Sequence, residues 1–113
     1  MKIIEQSITK AELAELAKER FGDMVKAVVD LARGIMAVGG SMHADEEQLL
    51  LESGSMQENL WGINIYPEQD KDAWIEFDSM INLRPWQGNR SRGVESEAIR
   101  TQIKAAVDKL VTP

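Results

Sequence analysis

The chain has 113 residues, of which 43% are hydrophobic and 28% are charged. These proportions are typical of one soluble globular domain, here residues 1–113, and argue against disordered chains and membrane proteins. A formal net charge of −6 disfavours extended nucleic-acid binding, which depends on clustered basic residues. Because the chain lacks cysteine and its N-terminus lacks the apolar stretch of a secretory signal, we expect a cytoplasmic protein without disulfides.

Hydrophobic periodicity and turn residues predict eight elements in the order β-α-β-β-α-β-β-α. The first half of the chain contains a strand over residues 2–5, a helix from about 10 to 22, and strands over 24–31 and 35–38. A second helix follows, with His43 at its start and Gly54 at its end. Strands over residues 60–66 and 74–84 and a helix from Ser96 complete the order. Thr9 and Glu12 have the spacing of a capping box at the start of the first helix. Arg33-Gly34 predicts a tight hairpin.

These elements predict an α+β domain of two layers, in which a mostly antiparallel sheet of about five strands carries three helices on one side. The other face of the sheet would then be open to solvent, a ligand or a partner subunit. Apolar side chains on an open face favour association. We therefore expect a two-fold homodimer through this face, whereas helices on both faces would give a complete monomer.

The three tryptophans receive different interpretations. Trp61 lies on the predicted core face of its strand. Trp74 is expected on a polar strand face and Trp86 in a loop, where large exposed aromatic side chains are typical of an interface. Either of these two could stack on a ligand or on a partner.

The stretch from Trp74 to Gly93 carries most of the candidate ligand-binding residues. From Arg84 to Arg92 it contains three arginines and no acid, and arginines bind phosphate or carboxylate bidentately. The predicted anion site comprises Arg84, Trp86, Asn89, Arg90, Ser91 and Arg92, and the strand-face residues Asn64, Glu76, Asp78 and Asn82 extend it. Glu76 and Asp78, two residues apart, also suit cation binding or paired-carboxylate chemistry, or a plain solvated strand face.

Four segments of the chain resemble a known family. They are MVKAVVDLARGIMAVGG, HADEEQLLLESGS, LWGINIYPE and IEFDSMINLRPWQGNRSRGVE. Together they are similar to a small bacterial protein family catalogued only as a domain of unknown function. The resemblance implies a bacterial single-domain protein and brings no activity with it.

His43, the only histidine, precedes the acidic run Asp45-Glu46-Glu47. It is a candidate catalytic acid or base, although a histidine with acids at a helix start is also typical of capping. One histidine without cysteine disfavours zinc, and we predict no metal and no cofactor. Two functions remain. One is a binding or interaction module for a small anionic ligand or a protein partner; the other is a metal-independent phosphoesterase or RNase-like enzyme in which His43 and the arginine loop share a cleft.

Overall fold

A computed structural model describes residues 1–113. The helices are α1 (Lys10–Arg20), α2 (His43–Glu52) and α3 (Glu97–Leu110). The strands are β1 (Lys2–Ile4), β2 (Ile8–Thr9), β3 (Val25–Asp30), β4 (Ile35–Val38), β5 (Leu60–Ile65), β6 (Ile75–Glu76) and β7 (Val111–Thr112). The predicted α+β class is confirmed, with three helices and a five-stranded sheet. None of the helices is long and apolar enough to cross a membrane.

The main sheet has the strand order β1-β4-β3-β5-β6, and every neighbouring pair is antiparallel. β3 lies at its centre and joins β4 through the predicted hairpin, in which Gly34 has a φ of 67°. The sequence does not predict β2 and β7, which pair in parallel and bring the two ends of the chain together.

Local capping signals account for the helix boundaries. The Thr9 hydroxyl accepts a hydrogen bond from the Glu12 amide at 3.0 Å, and the Glu12 carboxylate accepts one from the Thr9 amide at 3.2 Å. These two bonds form the predicted capping box. Gly22, just beyond α1, has a φ of 90°, and the Ser96 hydroxyl accepts from the Ile99 amide at the start of α3.

Helices cover both faces of the sheet rather than one, which differs from the two-layer prediction. Ala27 and Val29 of β3 pack in a large core with α1 and α3, whereas Val28 packs on the opposite face with Leu50 of α2. The physical reason is that β4 is apolar on both faces and β3 adds Val28 on the side of α2, so each face needs a cover. The open face on which the homodimer prediction was based is therefore largely occupied by α2.

The predicted strand over residues 74–84 is wrong in its extent, because β6 ends at Glu76. Trp74 lies in the turn before β6, where strand alternation does not apply, and it is 2% exposed within the large core. The prediction that Trp74 is exposed is thus also wrong. Trp61 is buried in the same core, as predicted.

After β6 the chain leaves the sheet and crosses over β5 at Gly62. We call residues 77–84 the passing segment. A Cβ atom placed on Gly62 would lie 2.6 Å from the Cβ of Ser79 and 3.1 Å from Cγ1 of Ile81. Only a residue without a side chain allows this approach. The passing segment forms a single 3-10 turn at Met80–Asn82.

Two side chains of the passing segment occupy the edge of β5 that β6 leaves unpaired. Asn64 is opposite Glu76 in the β5–β6 pair, so continued pairing would place residue 78 opposite Gly62. The Asn82 amide takes that role: its oxygen accepts from the Gly62 N–H at 2.8 Å, and its nitrogen donates to the Gly62 carbonyl at 2.9 Å. Farther along, Arg84 donates to the Leu60 carbonyl at 2.7 Å. Side chains therefore satisfy a sheet edge that would otherwise be left open.

We predict that Gly62→Ala lowers the free energy of unfolding by about 1–3 kcal/mol, because the new methyl group overpacks the contact with Ser79. Thermal unfolding followed by circular dichroism measures the effect. Gly93→Ala is the matched control, since a Cβ there meets only Phe77 O at 3.5 Å and Ser91 Oγ at 3.6 Å, which are ordinary contacts. Equal melting temperatures for the two variants would contradict the close approach.

Candidate functional site

A cleft of about 440 Å³ lies where α2 leaves the sheet uncovered. Its floor is formed by Lys26, Asn64 and Glu76, which share one face of the sheet. One wall is the segment 41–44 at the start of α2, and the other is the segment 78–81 together with Arg92. The passing segment after β6 thus builds a wall that a continuous strand would not provide.

The cleft brings together five of the residues predicted from the sequence. They are His43, Asn64, Glu76, Asp78 and Arg92. The expectation that Asn64 and Glu76 share a face is met, because the Asn64 amide donates to Oε1 of Glu76 at 2.8 Å. The hydroxyl of Tyr66 also contacts this oxygen, at 3.4 Å.

His43 is the first residue of α2 and is buried against β5. Its Nε2 lies 2.8 Å from the Ile63 carbonyl. A carbonyl only accepts hydrogen bonds, so Nε2 carries the proton and Nδ1 holds the lone pair of the neutral ring. Burial lowers the pKa of His43, while the Ile63 carbonyl and the nearby Asn64 oppose that shift. The ring is therefore held in its neutral form in one orientation.

Arg92 and Lys26 are the two cationic side chains of the cleft. Nε of Arg92 lies 2.8 Å from Oδ1 of Asp78, and its terminal nitrogens make no hydrogen bond within the chain. Nζ of Lys26 lies 5.3 Å from the ring centroid of Phe21 and pairs with no carboxylate. Both side chains can therefore still donate to a bound ligand.

Arg84 lies in the interior, away from the cleft, with 1% of its surface exposed. Its guanidinium donates to the carbonyls of Gln57 and Leu60 and stacks 4.3 Å from the ring centroid of Trp61. Burial lowers the pKa of Arg84, and the nearby Glu47 carboxylate opposes this shift. These contacts use the two terminal nitrogens that a bound anion would need, while Nε is buried without a partner.

Asn89 is also buried, at the centre of the arginine loop. The two N–H groups of its amide are shared among the carbonyls of Asn82, Ser91 and Gly93, and its oxygen accepts from the Glu95 amide. One side chain thus holds four backbone groups of the loop. Like Asn82, Asn89 is engaged by the fold itself.

The remaining residues of the predicted anion site lie on the outer surface of the loop. Trp86 is 74% exposed, and Arg90 and Ser91 are exposed as well. None of the three lines the cleft. The structure therefore divides the predicted site into a cleft group, a buried group and an exposed group.

Sequence reasoning did not select Lys26, Ser41 or the methionines Met24 and Met42 as site residues, although all of them line the cleft. Lys26 is the one basic residue of the central strand β3, and this is the signal that identifies it. The methionines have no comparable signal, because methionine is equally common in cores.

Glu46 follows His43 by one turn of α2 and is fully buried. Its Oε2 accepts from the Gly40 amide at 2.9 Å, whereas Oε1 has no partner. Burial raises the pKa of Glu46 to about 8. The carboxyl group is therefore mainly protonated at neutral pH, and it joins the Gly-Gly turn to the helix that carries His43.

We predict that Glu46 makes the protein less stable as the pH rises. A pKa raised from 4.5 to about 8 means that the contribution of this group is fully present below pH 4.5 and is lost as the pH approaches 8. Glu46→Gln removes this titration. As the pH rises from 4.5 to about 8, the free energy of unfolding of the variant should therefore increase by about 1–3 kcal/mol relative to that of the wild type. Urea denaturation at several pH values measures this, with the exposed Glu52→Gln as control. A difference that is independent of pH would contradict the prediction.

The comparisons with known proteins give a family without an assigned activity. No curated protein and no solved structure matches the chain. One family model, described as a protein of unknown function (DUF5674), matches residues 2–110. The chain therefore belongs to the DUF5674 family.

Proposed function

We propose that this protein is a binding module whose cleft takes a small ligand with a phosphate or carboxylate group. The observation that carries the proposal is the convergence of His43, Asn64, Glu76, Asp78 and Arg92 on one cleft. These residues come from four separate parts of the chain, at positions 43, 64, 76–78 and 92. Of the three arginines in the predicted anion loop, Arg92 is the one whose side chain lines the cleft.

Arg92, Lys26 and the start of α2 supply the donors for an anion. The Asp78 carboxylate holds Nε of Arg92 and so orients the two terminal nitrogens, which are the pair that binds phosphate or carboxylate. No side chain caps the start of α2, and a helix start favours negative charge. The anionic group of the ligand would therefore lie between Arg92, Lys26 and this helix end.

Methionines supply the apolar part of the cleft. Met24, Met42 and Met80 line it, and Met42 and Met80 are 57% and 64% exposed. Flexible thioether side chains adapt to ligands of different shapes. This composition supports binding of a ligand that has an apolar portion beside its charged group.

A phosphate titration followed by ¹⁵N NMR tests the anion site. We expect the amides of Lys26, residues 41–44 and Arg92 to shift first, and Arg92→Ala to weaken binding about fivefold or more, because it removes a charge-assisted contact. Arg90→Ala is the matched control, since Arg90 belongs to the same loop but lies outside the cleft.

Two results would contradict this proposal. One is a set of shifts scattered over the whole surface. The other is an equal loss of affinity in the Arg90 and Arg92 variants, which would indicate screening of the general charge rather than a site.

The second candidate is a metal-independent phosphoesterase or RNase-like activity. It is supported by the presence of His43 and Arg92 in the same cleft, with the neutral Nδ1 lone pair of His43 as the base. Arg84 and Arg90 do not line this cleft, so the version that depends on the whole arginine loop has less support. Hydrolysis of a phosphodiester that is lost in His43→Gln and retained in Arg90→Ala would favour the enzyme over the module.

Self-association stays a prediction. The surface now proposed for it is not the open sheet face that the sequence predicted. α2 covers much of the sheet face, and Trp74 is buried. The exposed large side chains of the passing segment and loop are Met80, Leu83 and Trp86. A homodimer or another protein partner would bury these side chains.

A further inference from the structure

We propose that the ligand also carries a protonated amine, which Glu76 and Asp78 bind inside the cleft, so that the ligand is a zwitterion. This inference rests on the proposed ligand-binding function of the same cleft. It assigns a chemical class to a second group of the ligand.

One oxygen of each carboxylate accepts a hydrogen bond within the chain, and the other oxygen has no partner there. Oε1 of Glu76 accepts from Asn64 and Tyr66, which leaves Oε2 without a partner in the chain. Oδ1 of Asp78 accepts from Arg92, which leaves Oδ2 in the same state. Both side chains line the same cleft. Two anchored carboxylates with free oxygens in one cleft form a preorganised acceptor pair for N–H donors.

Asn64 provides an independent indication that a donor belongs at this floor. Its side chain is 5% exposed and lines the cleft, yet its Oδ1 has no hydrogen-bond partner. The amide cannot be flipped without loss, because its nitrogen must face the Glu76 carboxylate, which only accepts. A buried acceptor left unpaired costs free energy.

The neighbouring histidine presents a second acceptor. Nε2 of His43 is engaged by the Ile63 carbonyl, so Nδ1 of the neutral ring can only accept. The cleft therefore has four acceptor atoms without a hydrogen bond in the chain, on His43, Asn64, Glu76 and Asp78. An ammonium group has three N–H donors and no acceptor, so it can bind up to three of these four atoms.

The charge balance of the cleft favours a zwitterion over a simple ion. Lys26 and Arg92 are the two basic residues that line it, and Glu76 and Asp78 are the two acidic ones, so their formal charges sum to zero. A ligand with one positive and one negative group can satisfy both pairs without leaving net charge in the cleft. A divalent cation is a poorer match, because Ca²⁺ and Mg²⁺ take about six or more oxygen ligands and no group of three metal-binding side chains is present.

Three probes of equal chain length test the inference by ¹⁵N NMR titration at pH 7, at matched ionic strength with NaCl as reference. They are 5-aminopentanoate, which has both charges; pentylamine, which has only the amine; and pentanoate, which has only the carboxylate. We expect 5-aminopentanoate to bind most tightly and pentylamine to shift the amides of Asn64, Glu76 and Asp78.

Charge-neutral variants locate the amine. Glu76→Gln should weaken pentylamine binding about fivefold, and it should leave pentanoate binding unchanged or slightly stronger. Asp78→Asn should also weaken pentylamine binding, although it additionally loosens Arg92. Glu68→Gln, an exposed glutamate outside the cleft, is the matched control and should have no effect on either probe.

The outcomes separate this inference from the proposed function. Binding of pentanoate without pentylamine would overturn the amine site and leave the anion site standing. Binding of pentylamine that Glu76→Gln weakens, with no binding of pentanoate, would support the amine site and remove the anion site. Binding of none of the probes in the cleft, or shifts equal to those with NaCl, would overturn both.

Discussion

The structure depends on which groups form hydrogen bonds with the backbone along one edge of β5. β6 pairs with β5 for only two residues, Ile75 and Glu76, which would leave the backbone groups of Gly62 and Leu60 open. The side chains of Asn82 and Arg84 bind these groups instead. Because side chains close the edge, the main chain after β6 is free to leave the sheet. The sheet edge is also protected from pairing with another chain.

The cleft is a consequence of that departure. A strand continued to residue 84 would lie flat beside β5, and the polar face of the sheet would be an open surface. The passing segment instead rises over Gly62 and stands opposite the start of α2, with Asp78 and Met80 on its cleft side. Asn89 holds the returning loop by four backbone hydrogen bonds, so that Arg92 comes back to the same cleft. Buried polar side chains in this loop therefore position the exposed ones that can contact a ligand.

Sequence patterns predicted the parts of the fold that local interactions control. The Thr9–Glu12 capping box, the hairpin at Gly34 and the apolar alternation of β3 each involve residues close in sequence. The extent of β6 could not be predicted in this way, because alternation continues past Glu76 while the partner strand does not. The same alternation predicted correctly that Glu76 shares a face with Asn64. The interior position of Arg84 depends on carbonyls 24 and 27 residues earlier, so a local reading of three arginines without an acid could not separate Arg84 from Arg92.

Hydrogen exchange at the Gly62 amide tests the central claim that the Asn82 side chain closes the edge of β5. In the wild type, the Gly62 N–H donates to Asn82 and should exchange slowly, at a rate similar to the amides of β3. In Asn82→Ala, the Gly62 amide should exchange much faster while the amides of β3 remain protected, because only the edge is opened. A Gly62 amide that exchanges rapidly in the wild type, or whose rate does not change in Asn82→Ala, would contradict the account.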